Sequence, residues 1–461
     1  MKIKFLLVDP TSVFHGPPSD LKVKDKSLAD LYSSRLDDAV NKKLCVESKS
    51  NWNAVSTKYV TNYGLLMLGH LIKKKGYFVD YINGDYYSDS NEFFNNVVTI
   101  MGEYDVICMT GTTPQFSEMK CLASELRNKG YNNLLVYGGP HSYFFKSNYE
   151  DTDFDIIFVG HNLDVTIQKI EDTIKGEFAH ERGAVKNTII YEGEGYVDSP
   201  KDFSLIPQDY VKETLLYTYS SYGCPNHCRY CAEHYYNPKV CFLDEKKSLE
   251  EIEFLINVVG VKSVHLADSD FFLNPSFCDK FLGLIKKKRF KACFTVNTSP
   301  QIICKNDTLR LVKKFYDLGL IELLIGVEYF SETVLRKMNK SYDIALFYMK
   351  LAEIRKQCPD LIVSFYSLIG LPGSNSDTII ENYNWFKKFY EAKLFDFSFP
   401  KFFVPYPGTD VYDHPEDFDS VIVHRNWSDY HRWALPRPII LSELSDDDLL
   451  NEVKRLYELY D

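Results

Sequence analysis

The hydrophobic pattern along this chain falls into two stretches of alternating strand-like and helix-like segments. Residues 3 to 8 (Ile-Lys-Phe-Leu-Leu-Val) make a short apolar run stopped by Asp9-Pro10, the pattern of a buried strand. Apolar positions at helical spacing follow over residues 63–72, Gly76 breaks them, and residues 77–82 are again strand-like. A strand at 106–109, a helix at 117–127, strands at 134–137 and 155–159 and a helix near 165–174 complete the series. Such alternation predicts a doubly wound, Rossmann-like parallel sheet over residues 1–175, with its ligand beyond the carboxyl ends of the strands. Glycines and hydroxyls cluster at those ends, in Thr110-Gly-Thr-Thr-Pro114, in Gly138-Gly-Pro-His141 and at Gly160.

A polar stretch over residues 17–60 separates the first strand from its helix, where a loop of about 2–6 residues is usual. Leu28, Leu31, Leu36 and Val40 predict a helix within it, a lid over a cavity. Residues 176–213 read as a linker with a small hairpin formed by 187–191, Glu192-Gly-Glu-Gly195 and Tyr196-Val197. Strands then recur near residues 215–220, 263–266, 293–296, 322–327, 363–369 and 396–403, with amphipathic helices between them. Six such units over residues 214–410 predict a partial (β/α)6 barrel whose active face is again the strand carboxyl ends. The fold class is therefore α/β throughout, closed by a small helical carboxy-terminal region at 411–461. There Trp427, Tyr430 and Trp433 suggest a cover, and Ser445-Asp-Asp-Asp448 caps a last helix bearing Leu449, Leu450, Val453, Leu456 and Leu459.

A length of 461 residues suits two or three domains. With 53 basic against 64 acidic residues, the net charge of -11 supplies no electrostatic footprint for nucleic acid. No run approaches the roughly 18–20 apolar residues of a membrane span, and Asp9-Pro10 comes too soon for a signal peptide, so a cytoplasmic protein without membrane contact is expected. The 11 cysteines are an odd set for a disulfide framework. Cys108 and Cys293 lie in apolar runs and read as small core residues.

Cys224, Cys228 and Cys231 differ, standing at C-x3-C-x2-C spacing in Ser221-Tyr-Gly-Cys-Pro-Asn-His-Cys-Arg-Tyr-Cys231. A short loop can wrap them around one soft metal centre. The alternatives are a zinc site completed by His227 or His234 and an iron–sulfur cube. An electron-transfer cube normally has four thiolates, so three leave one iron open to another ligand. The spacing, with Tyr230 before the last cysteine, resembles the radical S-adenosylmethionine superfamily. The resemblance implies a 4Fe-4S cluster on the three cysteines, with S-adenosylmethionine on the open iron. It also implies reductive cleavage of that cofactor to methionine and a 5′-deoxyadenosyl radical.

Over roughly residues 205–410 the resemblance carries further positions. Asp268 and Asp270 in Ala267-Asp-Ser-Asp-Phe271 would meet the methionyl amino group, and Asn297 the carboxylate or ribose. Glu328 in Gly326-Val-Glu-Tyr329 would orient polar groups around the cofactor. Gly370 and Pro372 belong to a Gly-Leu-Pro-Gly turn that would approach adenine, Val404 to the closing strand, and the Tyr230 backbone would face the adenine amino group.

The amino-terminal domain, with Gly-Gly-Pro-His ahead of the three-cysteine loop, resembles the cobalamin-binding class of that superfamily. Gly138 and Gly139 would admit a bulky ligand, Thr112 and Thr113 would hydrogen-bond its amide or phosphate groups, and Gly160 and His141 stand at the same strand ends. The Asp-x-His-x-x-Gly motif that supplies an axial histidine is absent, since Pro10-Thr11 follow Asp9, which implies cobalt without a protein histidine. A second departure is Gly160-His-Asn-Leu163 in place of a Gly-Glu-Gly-Glu-like run. The class implies methylation of an unactivated carbon in a small-molecule or peptide-derived substrate, with flavodoxin or ferredoxin as reducing partner. The alternative is a radical rearrangement, cyclisation or oxidation, with or without cobalamin. A transfer RNA methylthiotransferase would need a second cluster, for which Cys45, Cys108 and Cys121 are the available cysteines.

Overall fold

The structure, a computed structural model, describes residues 2–12, 19–45, 59–145, 149, 151–176, 188–191, 201–211, 214, 216–441 and 443–460. The chain divides into two compact units. The first holds residues 1–14, 58–214 and 426–430, and the second 15–57, 215–425 and 431–461.

The first unit is built on six parallel strands: β1 (Lys4–Asp9), β2 (Phe78–Asn83), β3 (Val106–Thr110), β4 (Leu134–Gly138), β5 (Ile156–Val159) and β6 (Thr188–Tyr191). Their order is β2-β1-β3-β4-β5-β6. Leu6 and Val8 pack on one side with Phe93, Met119 and Leu122, while Phe5 and Leu7 pack on the other with Leu68, Ile72 and Ile167. Alternate side chains of β1 thus enter two apolar layers, which is why a short run of apolar residues suffices for a strand buried on both faces. Cys108 is buried among the second set, and burial pushes its thiol up to about 12. The expected hairpin is corrected: residues 188–191 pair with β5 in parallel as a sixth strand, and 192–197 lie outside the described residues.

The second unit carries β7 (Tyr217–Thr218), β10 (Ser263–Leu266), β11 (Cys293–Thr298), β12 (Leu320–Glu328), β13 (Ile362–Ile369) and β14 (Phe397–Phe402). These pair in parallel in that sequential order, the arrangement of a partial barrel. Between β7 and β10 a two-stranded antiparallel pair, β8 (Ser221–Tyr222) with β9 (Cys241–Phe242), brackets the cysteine loop. The strand expected over 215–220 is shorter than its apolar pattern, because the Ser220 amide donates to the Asp268 carboxylate (3.1 Å) instead of joining the sheet. The last helix (Asp446–Tyr457) has the expected box: Ser445 N–H donates to Asp448 at 2.9 Å, and Asp448 N–H to the Ser445 hydroxyl at 3.2 Å.

Among the described residues the inserted segment holds a helix, α1 (Ser19–Leu44). It belongs to the barrel unit, where Leu28, Tyr32, Leu36 and Val40, four residues apart, form its buried stripe. Leu31, expected on that stripe, is 50% exposed. The Tyr32 hydroxyl donates to Glu322 at 3.0 Å, near the start of β12, and its ring meets Phe397 and Phe399 edge-on at 5.2 Å. Lys42 pairs with Asp360 ahead of β13, and Lys43 donates to the Tyr316 carbonyl ahead of β12. The carboxyl end of α1 thus meets the segments that lead into β12 and β13, while Tyr32 packs on β14.

Glu322 is fully buried between Tyr32 and Ser364, whose hydroxyl donates to it at 2.6 Å. Burial raises its pKa to about 7, although both hydroxyls oppose the rise. An unfolded glutamate ionises near pH 4.3, so between about pH 4.5 and 7 the unfolded chain loses a proton that the native chain keeps. This group's contribution is therefore fully present below about pH 4.5 and is lost as pH rises towards 7. Glu322→Gln is neutral throughout, so its stability relative to the parent should improve by about 1–3 kcal/mol between pH 5 and pH 8. Urea midpoints at the two pH values check this, and a pH-independent difference would contradict it.

Candidate active site

The cysteine loop is held at both ends. Gly223 has a φ of +83°, and a Cβ there would come within 2.6 Å of the Lys239 carbonyl and 2.9 Å of that of Asn237, so only glycine fits. Glu233 accepts from the Gly223 amide (3.2 Å) and the Asn237 side chain (3.1 Å), tying the entry of the loop to its exit. Inside the loop Cys231 N–H donates to the Cys228 carbonyl at 3.0 Å. Its outer edge is pinned by Arg229 N–H to the Met338 carbonyl (3.0 Å) and by the Asn339 side chain to the His227 carbonyl (2.8 Å).

All three thiols are free, with Cys228 buried and Cys224 and Cys231 half-buried. Burial raises each pKa, that of Cys231 to about 12, and Cys228 adds to the rise at both of the others. Thiols this reluctant to ionise call for a compensating cation, and Lys340 is nearby, almost buried, acting to lower the Cys228 pKa. Burial disfavours the Lys340 ammonium, but Glu328 at 2.8 Å and the Cys228 and Cys231 sulfurs outweigh it and keep its pKa above the ordinary value. Among the described residues no three His, Cys, Asp or Glu side chains close on one point to hold a single metal ion. Ligands of a cube need not do so, because each thiolate serves a different iron.

The strand-end residues divide by what they touch. Asp268 is fully buried, accepting at 2.7 Å from the Ser220 hydroxyl, 2.6 Å from the Ser221 hydroxyl and 3.1 Å from the Ser220 amide. It therefore locks β10 to the start of the cysteine loop. Asp270, also buried, accepts from Thr298 (2.9 Å) and Ser299 (2.6 Å), and burial raises its pKa to about 7. Asn297 donates to the Asp268 carbonyl at 3.1 Å and is half-buried on the active face. Glu328 ends β12 with a φ of +62°, at a register shift relative to β13, and its carboxylate is turned to Lys340. Gly370 also has positive φ (+79°), but a Cβ there would strike Leu449 at 2.6 Å and Arg437 at 2.7 Å. Its Cα thus faces the last helix. Pro372 and Val404 are buried, and Tyr230 is half-buried, its hydroxyl acting to lower the Cys228 pKa against the rise from burial. Of the alternative zinc ligands, His227 is exposed and His234 buried, their rings 4.9 Å apart. Lys340, Ser220 and Ser221 were not identified from sequence; Lys340 follows a short helix in no recognisable motif.

In the first unit the strand order reverses between β1 and β3, the place where doubly wound sheets bind ligands. Gly138, Gly139 and Gly160 are half-exposed at the ends of β4 and β5, and Thr112 is exposed after β3. The peptide groups and hydroxyl offered there suit the amide fringe of a corrin. Gly139, with a φ of +112°, has Thr110 Oγ1 2.4 Å from where a Cβ would stand, so its substitution would close the turn. Two expectations are corrected. Thr113 is buried, with its hydroxyl at 3.3 Å from His141 Nδ1, and His141 is wholly buried between the rings of Phe116, Phe145 and Trp427. Burial lowers the His141 pKa to about 3, and the ring is core, not a ligand at the surface of the sheet. Asp9 is likewise internal, accepting from Asn62 N–H and the Tyr81 hydroxyl at 2.7 Å each. Of the cysteines a second cluster would need, Cys108 is buried in the first unit's core, Cys121 is exposed in that unit, and Cys45 belongs to the other unit.

The Radical SAM superfamily profile matches residues 218–386, a span with all three loop cysteines and the strand-end residues through Pro372. The chain is a radical S-adenosylmethionine enzyme. Its cofactors are a 4Fe-4S cluster and S-adenosylmethionine, and its amino-terminal domain has a cobalamin-binding-like fold. The enzyme is 24% identical over 378 residues to the anaerobic magnesium-protoporphyrin IX monomethyl ester cyclase of Cereibacter sphaeroides, covering 77% of this chain and 60% of that protein. To an uncharacterized methyltransferase of Pyrococcus horikoshii it is 21% identical over 359 residues, 73% of this chain and 75% of the other. Among solved structures it resembles the radical S-adenosylmethionine methyltransferase TsrM of Kitasatospora setae, determined with cobalamin and a [4Fe-4S] cluster bound. The TM-score is 0.66 at 14% identity, over 100% of this chain and 89% of that one. That likeness is one of fold.

Proposed function

We propose that the enzyme transfers a methyl group from cobalamin to an unactivated carbon of a small-molecule or peptide-derived substrate. The observation that carries this reading is the glycine-backed, hydroxyl-bearing carboxyl edge of the β2-β1-β3-β4-β5-β6 sheet, in a chain whose full length aligns with the fold of TsrM. When bound, the cluster with S-adenosylmethionine supplies a hydrogen-abstracting 5′-deoxyadenosyl radical, and cobalamin supplies the methyl group. The chain's own part is to hold and orient. Cys224, Cys228 and Cys231 hold the cluster, Lys340 offsets the charge of the sulfurs, and Asn297 and Glu328 face the cofactor from the strand ends. Thr112, Gly138, Gly139 and Gly160 would hold the corrin through peptide and hydroxyl groups, with no histidine on cobalt.

A flavodoxin or ferredoxin is the proposed electron donor, and the cytoplasm the proposed compartment. Among the described residues no helix is long and apolar enough to cross a membrane. A second reading, radical cyclisation or rearrangement without methyl transfer, is favoured by the cyclase relative. Anaerobically reconstituted enzyme separates the two. Near-stoichiometric corrinoid beside about four irons, with S-adenosylhomocysteine and 5′-deoxyadenosine formed together, supports methylation. Full iron without corrinoid, or 5′-deoxyadenosine alone during product formation, supports the second reading.

A further inference from the structure

Residues 426–430 belong to the first unit, although the residues on both sides of them in sequence belong to the second. Within that unit the half-buried Trp427 packs against the apolar layer that includes Phe116, Met119 and Tyr137. Its ring meets Phe145 edge-on at 5.0 Å and His141 edge-on at 5.4 Å, spacings at which aromatic pairs attract beyond the area they bury.

His141 joins the two turns proposed to hold the corrin. Its backbone N–H donates to the Gly111 carbonyl at 3.2 Å, and its Nδ1 lies 3.3 Å from the Thr113 hydroxyl, so the turn after β4 is tied to the turn after β3. Thr110 spans the same gap, its hydroxyl donating to the Gly138 carbonyl at 3.1 Å. The next residue extends the tie to β5: the Ser142 hydroxyl reaches the Gly139 carbonyl at 2.8 Å and the Phe158 carbonyl at 2.7 Å. The His141 imidazole therefore sits at the centre of the glycine-backed edge, and three rings hold it. Phe116 stacks on it at 4.3 Å and Phe145 at 5.5 Å, both from chain next to the turns, while Trp427 comes from a distant part of the sequence.

We propose that Trp427 is a positioning residue for cobalamin: it fixes His141, and through His141 it holds the turns at Thr112–Thr113 and Gly138–Gly139 in the arrangement that receives the corrin. The inference rests on the reading of that edge as the corrin site. A turn ordered in advance spares the ligand the cost of ordering it, so loss of the Trp427 ring should weaken binding at least about tenfold.

The test titrates aquacobalamin into the reconstituted full chain and follows its absorbance. Trp427→Ala should bind it at least about tenfold more weakly while keeping about four irons, and Trp427→Phe should stay within about threefold of the parent. Hydrogen exchange without cobalamin gives a second readout. In Trp427→Ala the amides of His141, Tyr143 and Phe145, bonded to the Gly111, Gly139 and His141 carbonyls, should exchange at least about tenfold faster. If Trp427→Ala loses its iron as well, the milder Trp427→Leu carries both readouts with the same expectations. Unchanged affinity, unchanged exchange, or a loss in Trp427→Phe equal to that in the alanine variant overturns the inference and leaves the cobalamin reading standing. A parent that binds no aquacobalamin overturns that reading and the inference with it.

Discussion

Replacing any one of Cys224, Cys228 or Cys231 by serine is expected to abolish the brown chromophore of the reconstituted enzyme and to reduce 5′-deoxyadenosine formation at least about 100-fold. The three should be equivalent, and the triple variant no worse than a single one, because ligands of one cluster act as a unit. The loop is braced at Gly223, Arg229 and Asn339 by bonds that do not involve sulfur, so the serine variants should fold. Cys241→Ser supplies the control: that thiol is exposed on β9, just past the loop, and its loss should leave iron content and cleavage unchanged. Iron analysis with quantification of 5′-deoxyadenosine reads both outcomes. Retention of full iron by any single variant would mean that the thiol replaced is not a cluster ligand.

The second large effect is one of stability. Tyr32→Ala should lower the unfolding free energy by about 3–5 kcal/mol, because it empties a fully buried position whose ring contacts Phe397 and Phe399. Tyr32→Phe keeps the ring and removes only the hydroxyl that donates to Glu322, for a loss of about 1–2 kcal/mol. Urea unfolding monitored by circular dichroism distinguishes them. A loss below about 1 kcal/mol for Tyr32→Ala would show that α1 is an appendage and not an integral part of the barrel unit.

The missed features share a cause. A strand on a parallel sheet covered on both sides is announced by its own residues, and so is a loop whose cysteines lie within eight positions of one another. The small hairpin was misread because residues 188–191 are compatible with either arrangement, and only the neighbouring edge of β5 selects the parallel one. His141 was expected at the corrin edge because its Gly-Gly-Pro-His run resembles the cobalamin-binding class; its burial depends on Trp427, a residue 286 positions away by number that joins the same unit.

By itself the sequence determined the strands β1 to β5 and the six parallel strands of the second unit, the three-thiol loop with its missing fourth ligand, and the glycine-rich ends of the amino-terminal sheet. Those features follow from local periodicity, turn chemistry and short spacing. Tertiary structure alone decided that Asp268 braces the loop through Ser220 and Ser221, that Lys340 joins Glu328 beside the sulfurs, and that α1 packs into the barrel unit through Tyr32. The physical reason is distance along the chain: Tyr32 and Glu322 are separated by 290 residues, and no local pattern records which buried carboxylate will receive which hydroxyl. Packing brings them together because each would otherwise be buried without a partner.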